Sequence, residues 1–413
     1  MNKTIAVIAS CDTKYKEVAY MRECLARSGV DALVVDMAIG PSASDCADVS
    51  REDVAASVGL DWNEIRDKTK GELMELMTPA VKATVLRLFK ENAIHGVLSV
   101  GGVQNTTVAT TAMRALPIGF PTVVATTVAS GPRTFGGVCG DKDIVVIPSI
   151  SDFTGINLMT ERIIANACAC VAGMAIHSGQ PIRKGARPVV GLTLMGITNN
   201  GAVAAVEELD RLGIEAIGFH STGVGGRIME SLAEDGILDG ILDLTTHEIT
   251  TEFFAGGYSY GALDRIVKPA KQGVPLVVAP GGLDFVDFAK PEFPPRMDER
   301  VYNMHNAQLA HIKILPDEAE KIGAIFASRL NLAERGVRLL IPTEGMRKNT
   351  RPGGNMYMKE TDDVLIGTIL ADIGPNVSVE TIPGNIDDEE WGKQAARAMA
   401  AELERRGVIA KGK

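Results

Sequence analysis

Short runs of apolar residues alternate with amphipathic stretches along most of the chain. Residues 4–10, 96–102 and 122–129 are such runs, and residues 72–91 have the spacing of an amphipathic helix. Continuous apolar strands that alternate with helices are typical of a parallel sheet covered by helices on both faces. The pattern therefore predicts an α/β protein built from doubly wound, Rossmann-like, mostly parallel sheets.

One polar stretch interrupts this pattern near the middle of the chain. Residues 177–188 contain two prolines and two glycines, and a new apolar run begins directly after them at residues 189–195. A chain of 413 residues is also too long for one ordinary hydrophobic core. We therefore expect two Rossmann-like domains, residues 1–182 and residues 183–413.

Charge and composition narrow the class of protein. The formal net charge is −10, which disfavours general binding to nucleic acid or to an anionic membrane. The sequence contains no long uncharged apolar run, so no membrane span is predicted. The first apolar stretch is too short for a signal peptide. The six cysteines form no CxxC pair, which favours reduced thiols. We expect a cytoplasmic protein.

Polar residues cluster where the predicted strands end, and the first domain has two such loops. Gly101 and Gly102 end a buried strand, and Asn105, Thr106 and Thr107 open the next helix. Free amide groups and hydroxyls at such a turn suit phosphate oxygens, although no Walker A or GxGxxG motif is present. A tight turn with a helix cap is an equally good interpretation. In the other loop, Asp12 is a candidate for holding magnesium through water or for capping a helix.

The second domain has two candidate anion sites. Gly223, Gly225, Gly226 and Arg227 follow a predicted strand and begin a helix, which favours an anionic group of a substrate. Arg347 lies in a basic cluster with Lys348 and Arg351. This cluster is either a solvated loop or a clamp for a carboxylate or phosphate.

Candidate acid/base residues lie in the same half of the chain. His220 ends a predicted strand, and Asp284 follows a Gly-Gly turn. Asp284 with His220 or with His305 is the predicted catalytic pair, because histidine transfers protons near neutral pH. Coordination of a metal by His305 is the weaker alternative to a surface or capping role.

Two apparent motifs in this half do not carry the chemistry that they suggest. His247-Glu248 is not part of an HExxH zinc site, because Thr251 stands at the position of the second histidine. Residues 257–261 match GxSxG, but no strand is predicted before the serine, so a glycine-rich loop over a ligand cleft is favoured over a hydrolase.

Several stretches of the chain, taken together, resemble the uncharacterised protein family that shares the ATP-binding domain of the tomato mosaic virus resistance protein. The matching stretches are residues 9–14, 99–107, 129–131, 151–157, 219–230, 240–246, 280–284 and 305–306. The resemblance implies ATP with magnesium in the first domain, an unassigned activity in the second, and a homodimer. With the loops above, it predicts a nucleotide site that comprises Ser10, Asp12, Thr13, Lys14, Gly101, Gly102, Asn105, Thr106, Thr107, Ser130 and Gly131.

Three hypotheses for the function remain open from the sequence. The first is a protein that binds ATP with magnesium, with a ligand cleft between its domains and an enzymatic activity on a small anionic metabolite. The second is a lyase, isomerase or decarboxylase that needs no nucleotide and has its site in the second domain. The third is a regulatory module that senses nucleotide without chemistry.

Overall fold

The chain forms two compact units, Met1–Ile182 and Arg183–Lys413, which we call the N-terminal and the C-terminal unit. The structure is a computed structural model and describes residues 2–40, 45–129, 136–177, 182 and 184–410.

The N-terminal unit is built on a parallel sheet, and five strands of it lie in the described residues, in the order β2-β1-β3-β4-β5. Each crossover contains at least one helix, which is the βαβ pattern that the apolar runs predict. The strands are β1 Thr4–Ala9, β2 Asp31–Asp36, β3 Gly96–Gly101, β4 Thr122–Thr126 and β5 Val145–Pro148. The helices are α1 Cys11–Arg27, α2 Arg51–Ala56, α3 Trp62–Ile65, α4 Lys70–Lys90, α5 Val103–Met113, α6 Gly136–Cys139 and α7 Leu158–His177.

The central strands of this sheet are buried on both faces. Ala6 and Ile8 of β1 belong to a core with α4 and α5, whereas Ile5 and Val7 belong to a core with α1 and α7. Successive side chains of a strand point to opposite faces. A strand that is covered on both sides is therefore apolar at nearly every position, which is why its sequence reads as a continuous run.

Helix α7 covers one face of this sheet. Among the described helices it is the one that is long and apolar enough to cross a membrane. It packs on α1, β3 and β4 and buries Ile164, Cys168 and Val171 there. Its apolar composition is thus accounted for in part by its place over the sheet.

The C-terminal unit contains a six-stranded parallel sheet in the part of the chain that the structure describes, with the order β14-β13-β9-β8-β6-β7. Its strands are β6 Val189–Leu194, β7 Glu215–His220, β8 Gly240–Thr245, β9 Leu276–Gly281, β13 Val337–Pro342 and β14 Val377–Ile382. Its helices are α8 Asn199–Arg211, α9 Gly225–Glu234, α10 Glu248–Phe253, α11 Val267–Gln272, α12 Pro316–Leu330, α13 Lys359–Asp372 and α14 Glu389–Arg405.

A small antiparallel sheet is inserted in this unit. It has the order β10-β12-β11, with β10 Phe285–Ala289, β11 Tyr302–Met304 and β12 Leu309–Lys313. The sequence analysis did not predict it, because its strands are short and interleave polar residues with apolar ones. The predicted class of two doubly wound parallel sheets is confirmed, with this insertion as an addition.

The two large sheets share one topology. In each, the first strand lies between the second and the third, so the direction of winding reverses between the first and third strands. Ligands of doubly wound sheets bind outside the carboxyl ends of the strands at this reversal. The topology therefore points to the loops after β1 and β3 in one unit and after β6 and β8 in the other.

Candidate functional site

A pocket of about 490 Å³ lies at the reversal point of the N-terminal sheet. Ser10, Asp12 and Thr13 reach it from the loop after β1 and the start of α1, and Gln104 and Asn105 reach it from the start of α5. The structure thus brings together four of the residues predicted to bind nucleotide: Ser10, Asp12, Thr13 and Asn105.

Three cations line the same pocket. Arg66, Lys68 and Lys70 come from the segment that leads into α4, and no ion pair of theirs is found in the described part of the unit. A capping box between Thr69 and Glu72 fixes the start of that helix. These cations were not predicted from the sequence, because their segment does not directly follow a strand.

Asp12 is the acidic residue that lines this pocket. Its Oδ2 accepts a hydrogen bond of 3.0 Å from the amide of Gly40, while its buried Oδ1 has no hydrogen-bond partner. A Cβ atom on Gly40 would lie 2.2 Å from Oδ2, so a side chain there would displace the carboxylate. The carboxylate is held in place at the pocket, and its buried Oδ1 lacks a hydrogen-bond partner within the described residues.

The start of α5 supplies unused amide groups. The first hydrogen bond of the helix runs from the amide of Thr106 to the carbonyl of Gly102. The amides of Val103, Gln104 and Asn105 therefore have no partner within the helix. Gly102 caps the helix without a side chain. Such a helix start is suited to an anion.

The structure assigns internal roles to several other residues of the predicted nucleotide site. Lys14 donates to the carbonyl of Phe153, and its Nζ lies 3.7 Å from Glu17. Thr106 bonds Gly102 and Thr126, and Thr107 donates to the carbonyl of Val103. Gly101 is required for packing, since a Cβ there would lie 2.7 Å from that of Asn105. Ser130 and Gly131 lie outside the described residues.

A second pocket, of about 360 Å³, lies in the C-terminal unit. One wall is formed after β6 and β7 by Met195, Gly196, Ile197, His220 and Thr222. The antiparallel sheet and its turn form the other wall with Asp287, Asn303, His305, Leu309 and His311, and the remaining lining residues are Tyr258, Lys348 and Asn349. His220 and His305, both predicted from the sequence, are brought together here.

The register of the antiparallel sheet sets the polar wall of this pocket. Asp287 of β10 pairs with His311 of β12, which pairs on its other side with Asn303 of β11. Residues directly opposite one another point to the same face of a sheet. Asp287 and Asn303 were not predicted from the sequence, because they come to lie beside His311 only once the three strands pair.

The protonation states of the side chains in the polar wall follow from burial and from the neighbouring groups. Burial, together with the nearby charge of Arg347, lowers the pKa of His311 to about 4, so its ring is neutral at pH 7. His305 stacks on it with the ring centroids 5.0 Å apart. Burial alone would raise the pKa of Asp287, but the charge of His247 and hydrogen bonds from His247 and Ser259 lower it to about 2. The wall therefore presents a neutral imidazole beside a carboxylate.

Asp284 does not line this pocket. Its side chain is fully buried and accepts hydrogen bonds from Lys313 at 2.8 Å and from Nε of Arg347 at 2.9 Å. Burial alone would raise the pKa of Asp284, but the charges of Arg347 and Lys313 lower it to about 2. This placement argues against the predicted catalytic role, because both cations hold the carboxylate as an ion inside the unit.

Arg347 belongs to the same buried cluster and not to an open clamp. Its guanidinium lies 4.3 Å above the ring centroid of Phe285 and is fully buried. Nη1 and Nη2 have no hydrogen-bond partner. The exposed cation in the predicted basic cluster that lines the pocket is its neighbour, Lys348.

The start of α9 does not offer the predicted anion site. The amide of Gly226 donates to Glu248, and a Cβ on Gly226 would lie 2.0 Å from the guanidinium of Arg265. A Cβ on Gly225 would lie 1.9 Å from the carbonyl oxygen of His220, and Gly223 has a left-handed φ of 84°. Arg227 donates to the carbonyl of Leu263. These glycines serve close packing and a tight turn.

Neither apparent motif has the geometry of its namesake. Ser259 of the GxSxG sequence is fully buried and donates to Asp287 at 2.6 Å, with no strand before it. His247 is buried between the carbonyl of Gly282 and Asp287. No group of three or more His, Cys, Asp or Glu side chains suited to a metal ion occurs in the described residues.

Fold and pockets together define a two-unit α/β protein with ligand-sized pockets at the carboxyl edges of doubly wound sheets. The chain belongs to the Uncharacterised protein family (UPF0261): the model of its N-terminal domain matches residues 3–180, and that of its C-terminal domain matches residues 187–403.

Relatives of similar length occur in bacteria. A UPF0261 protein of Clostridium tetani is 34% identical, with 98% of each chain covered. The ToMV resistance protein Tm-1 of Solanum lycopersicum is 30% identical over 93% of this chain, which spans 54% of that longer protein.

Solved structures that the chain resembles are distant. UDP-GlcNAc 2-epimerase from Methanocaldococcus jannaschii has 10% identity and a TM-score of 0.23, over 97% of this chain and 92% of that one. The enzyme from Neisseria meningitidis bound to UDP-GlcNAc has 9% identity and a TM-score of 0.22, over 98% and 100%. This likeness carries no argument about function.

Proposed function

We propose that the protein is a cytoplasmic ATP-binding protein whose N-terminal unit holds ATP with magnesium. The observation that carries the proposal is the pocket at the reversal point of the N-terminal sheet. There the unused amides of α5, the cations Arg66, Lys68 and Lys70, and one fixed carboxylate face the same space. Amides and cations suit the phosphates, and Ile39 with Leu73 offers apolar surface to the remainder of the nucleotide.

Magnesium fits the acidic side of this pocket. Mg²⁺ at nucleotide sites takes one or two carboxylates and completes its shell with phosphate oxygens and water. Asp12 lines the pocket and supplies one such carboxylate, and its buried Oδ1 lacks the partner that a bound ion would provide. Bound magnesium would neutralise the repulsion between Asp12 and the phosphates. The described lining of this pocket contains no acidic residue besides Asp12, which is consistent with a metal ion that binds together with the nucleotide.

A melting experiment tests this proposal. A ligand that binds only the folded state stabilises it by mass action, so millimolar Mg-ATP should raise the melting temperature of the full chain. Lys68→Met and Gly102→Leu should shrink this shift, the first by removing a cation and the second by blocking the approach to α5. Asp12→Asn should reduce the difference between ATP with and without magnesium.

Lys90→Met is the matched control, since Lys90 is exposed at the far end of α4. It should leave the shift unchanged. A folded wild-type protein that shows no shift at millimolar Mg-ATP would refute the proposal.

A further inference from the structure

We propose that the pocket of the C-terminal unit binds a small carboxylate that has a neighbouring carbonyl group, and that its histidines transfer a proton at the adjacent carbon. This inference goes beyond the nucleotide proposal and does not depend on it. Every residue that lines this pocket belongs to the C-terminal unit, and every residue that lines the nucleotide pocket belongs to the N-terminal unit.

The size and lining of the pocket suit a small metabolite. Its volume of about 360 Å³ is at the lower end of the roughly 300–1,000 Å³ that is typical of ligand pockets. Met195, Ile197 and Leu309 provide an apolar surface, and the polar groups are confined to a few positions around it. This combination of an apolar surface with a few convergent polar groups is the usual composition of a specific small-molecule site.

Lys348 supplies the charge that selects an anion. It is exposed at the pocket and has no ion pair in the described chain, while its backbone amide is anchored to the carbonyl of Ile197. The amide side chains of Asn303 and Asn349 line the same space. A single lysine with neutral donors matches a carboxylate better than a phosphate, which is usually bound by several cations or by a free helix start. The Asp287 carboxylate in the wall is already held by His247 and Ser259.

A second, buried cation lies next to Lys348 in the chain. The fully buried guanidinium of Arg347 leaves both Nη1 and Nη2 without a partner. Buried donors of this kind are rarely left unsatisfied in a native protein, so each one needs an explanation. Arg347 is adjacent to Lys348 in the chain, and its charge acts on His311 in the pocket wall. The guanidinium lies over the ring of Phe285, which contacts the ring of His311, so this ion-paired arginine stands one ring behind the pocket wall.

The histidines provide the means of proton transfer. Nδ1 of His220 lies 2.9 Å from Oγ1 of Thr222, which orients the ring and leaves Nε2 for the ligand. His220 would take the proton from the carbon, and the electron pair of the C–H bond would move into the neighbouring carbonyl group to form an enolate. Neutral His311 would donate a hydrogen bond to that oxygen, and return of the proton from His220 would complete the cycle without any redox change.

Exchange of carbon-bound hydrogen with solvent measures this step directly. The full-length protein is incubated in D₂O with pyruvate or with 2-oxoglutarate, and loss of the C3 proton signal is followed by NMR, with and without Mg-ATP. We expect exchange above the buffer rate for at least one of these probes in both conditions. His220→Gln should lower the rate by about 100-fold, as expected for loss of a general base. Lys348→Met should raise KM at least tenfold, and Lys348→Arg should retain part of the binding.

Two controls keep the test specific. His177→Gln and Lys321→Met alter exposed residues outside the pocket and should leave exchange unchanged. No exchange with either probe, or full exchange in His220→Gln, would overturn the inference. The melting shift with Mg-ATP should be the same in His220→Gln as in the wild type, so failure of one proposal is distinguishable from failure of the other.

Discussion

Two buried arginines organise the charged interior of the C-terminal unit. Arg265 pairs with Glu230 at 2.8 Å and with Asp243 at 2.6 Å, and also bonds Glu248. Arg347 pairs with Asp284, which also holds Lys313. Burying an ion is costly unless partners compensate for the lost water, so these residues are tied to one another. A charged residue that follows a strand can therefore form ion pairs inside the unit instead of binding a ligand.

The buried His311 should make stability depend on pH. The pKa of an ordinary histidine is near 6.5, and that of His311 is lowered to about 4 in the folded state by burial and by the charges of Arg347, His247 and His305, against the opposing charge of Asp287. A lowered folded pKa gives stability that is present above pH 6.5 and is lost as the pH falls toward 4. The loss should amount to at most about 3 kcal/mol.

Urea unfolding of the wild type and of His311→Phe at several pH values checks this expectation. The variant lacks the titrating group, so its free energy of unfolding should fall less steeply between pH 6.5 and 4. His177→Phe, at an exposed position, should retain the slope of the wild type. Equal slopes for wild type and His311→Phe would show that the ring of His311 is not held neutral.

Among the helices, the contact between α8 and α14 depends on two glycines. A Cβ atom on Gly392 would lie 1.9 Å from the carbonyl oxygen of Gly201, and one on Gly201 would lie 2.0 Å from that of Ile386. Backbone atoms cannot move aside as a flexible side chain can. The close approach of α14 to α8 therefore requires glycine at position 392, and that of the segment just before α14 requires glycine at position 201. Neither helix reveals this requirement in its own sequence pattern.

Replacement of Gly392 by alanine should therefore destabilise the protein. Overpacking of a tight contact typically costs about 1–3 kcal/mol, which exceeds the gain in helix propensity. Gly367→Ala is the matched control, because Gly367 lies within α13 and a Cβ there would meet nothing within 4 Å. Alanine at that position should be neutral or should stabilise by up to about 1 kcal/mol. Chemical denaturation compares the two, and equal effects would contradict the packing argument.

At the scale of the whole molecule, the exposed apolar residues of α7 concern how copies of the chain associate. The helix buries one side against its sheet but leaves Leu158 84% exposed, Met159 40% and Ile176 46%. Ile150 and Ile156, just before the helix, are also exposed. Ile156, Leu158 and Met159 make the start of the helix an exposed apolar segment, and such segments often mark a surface that another protein covers. We propose that a second copy of the chain covers this one, in a symmetric homodimer.

Light scattering at micromolar concentration should accordingly show a dimer. The double substitution Leu158→Lys and Met159→Lys should shift the protein toward the monomer, because charge on both copies would meet at the interface. Leu370→Lys, at a 43% exposed position of α13, should leave the dimer intact. A wild-type protein that is monomeric throughout this range would contradict the proposal.

Much of the fold follows from local pattern, and much of each site does not. Most strands of the two parallel sheets are apolar runs because helices cover both faces, so they are visible in the sequence, although the buried Ser99 of β3 and Asp243 of β8 interrupt these runs. The loops after β1, β3 and β7 could be nominated because the carboxyl edge of such a sheet is where ligands bind. His220, His305, Ser10, Asp12, Thr13 and Asn105 line pockets at these edges.

The remaining site residues depend on which distant segments meet. Arg66, Lys68 and Lys70 reach the N-terminal pocket from a helix start that follows no strand, and Asp287 and His311 face each other through the register of strands that were not predicted. Asp284 and Arg347 have the residue types of a site, yet they neutralise one another inside the unit. Periodicity along the chain specifies which positions are buried in each element. The partners of a charged side chain are specified by packing between elements far apart in sequence, which periodicity does not encode.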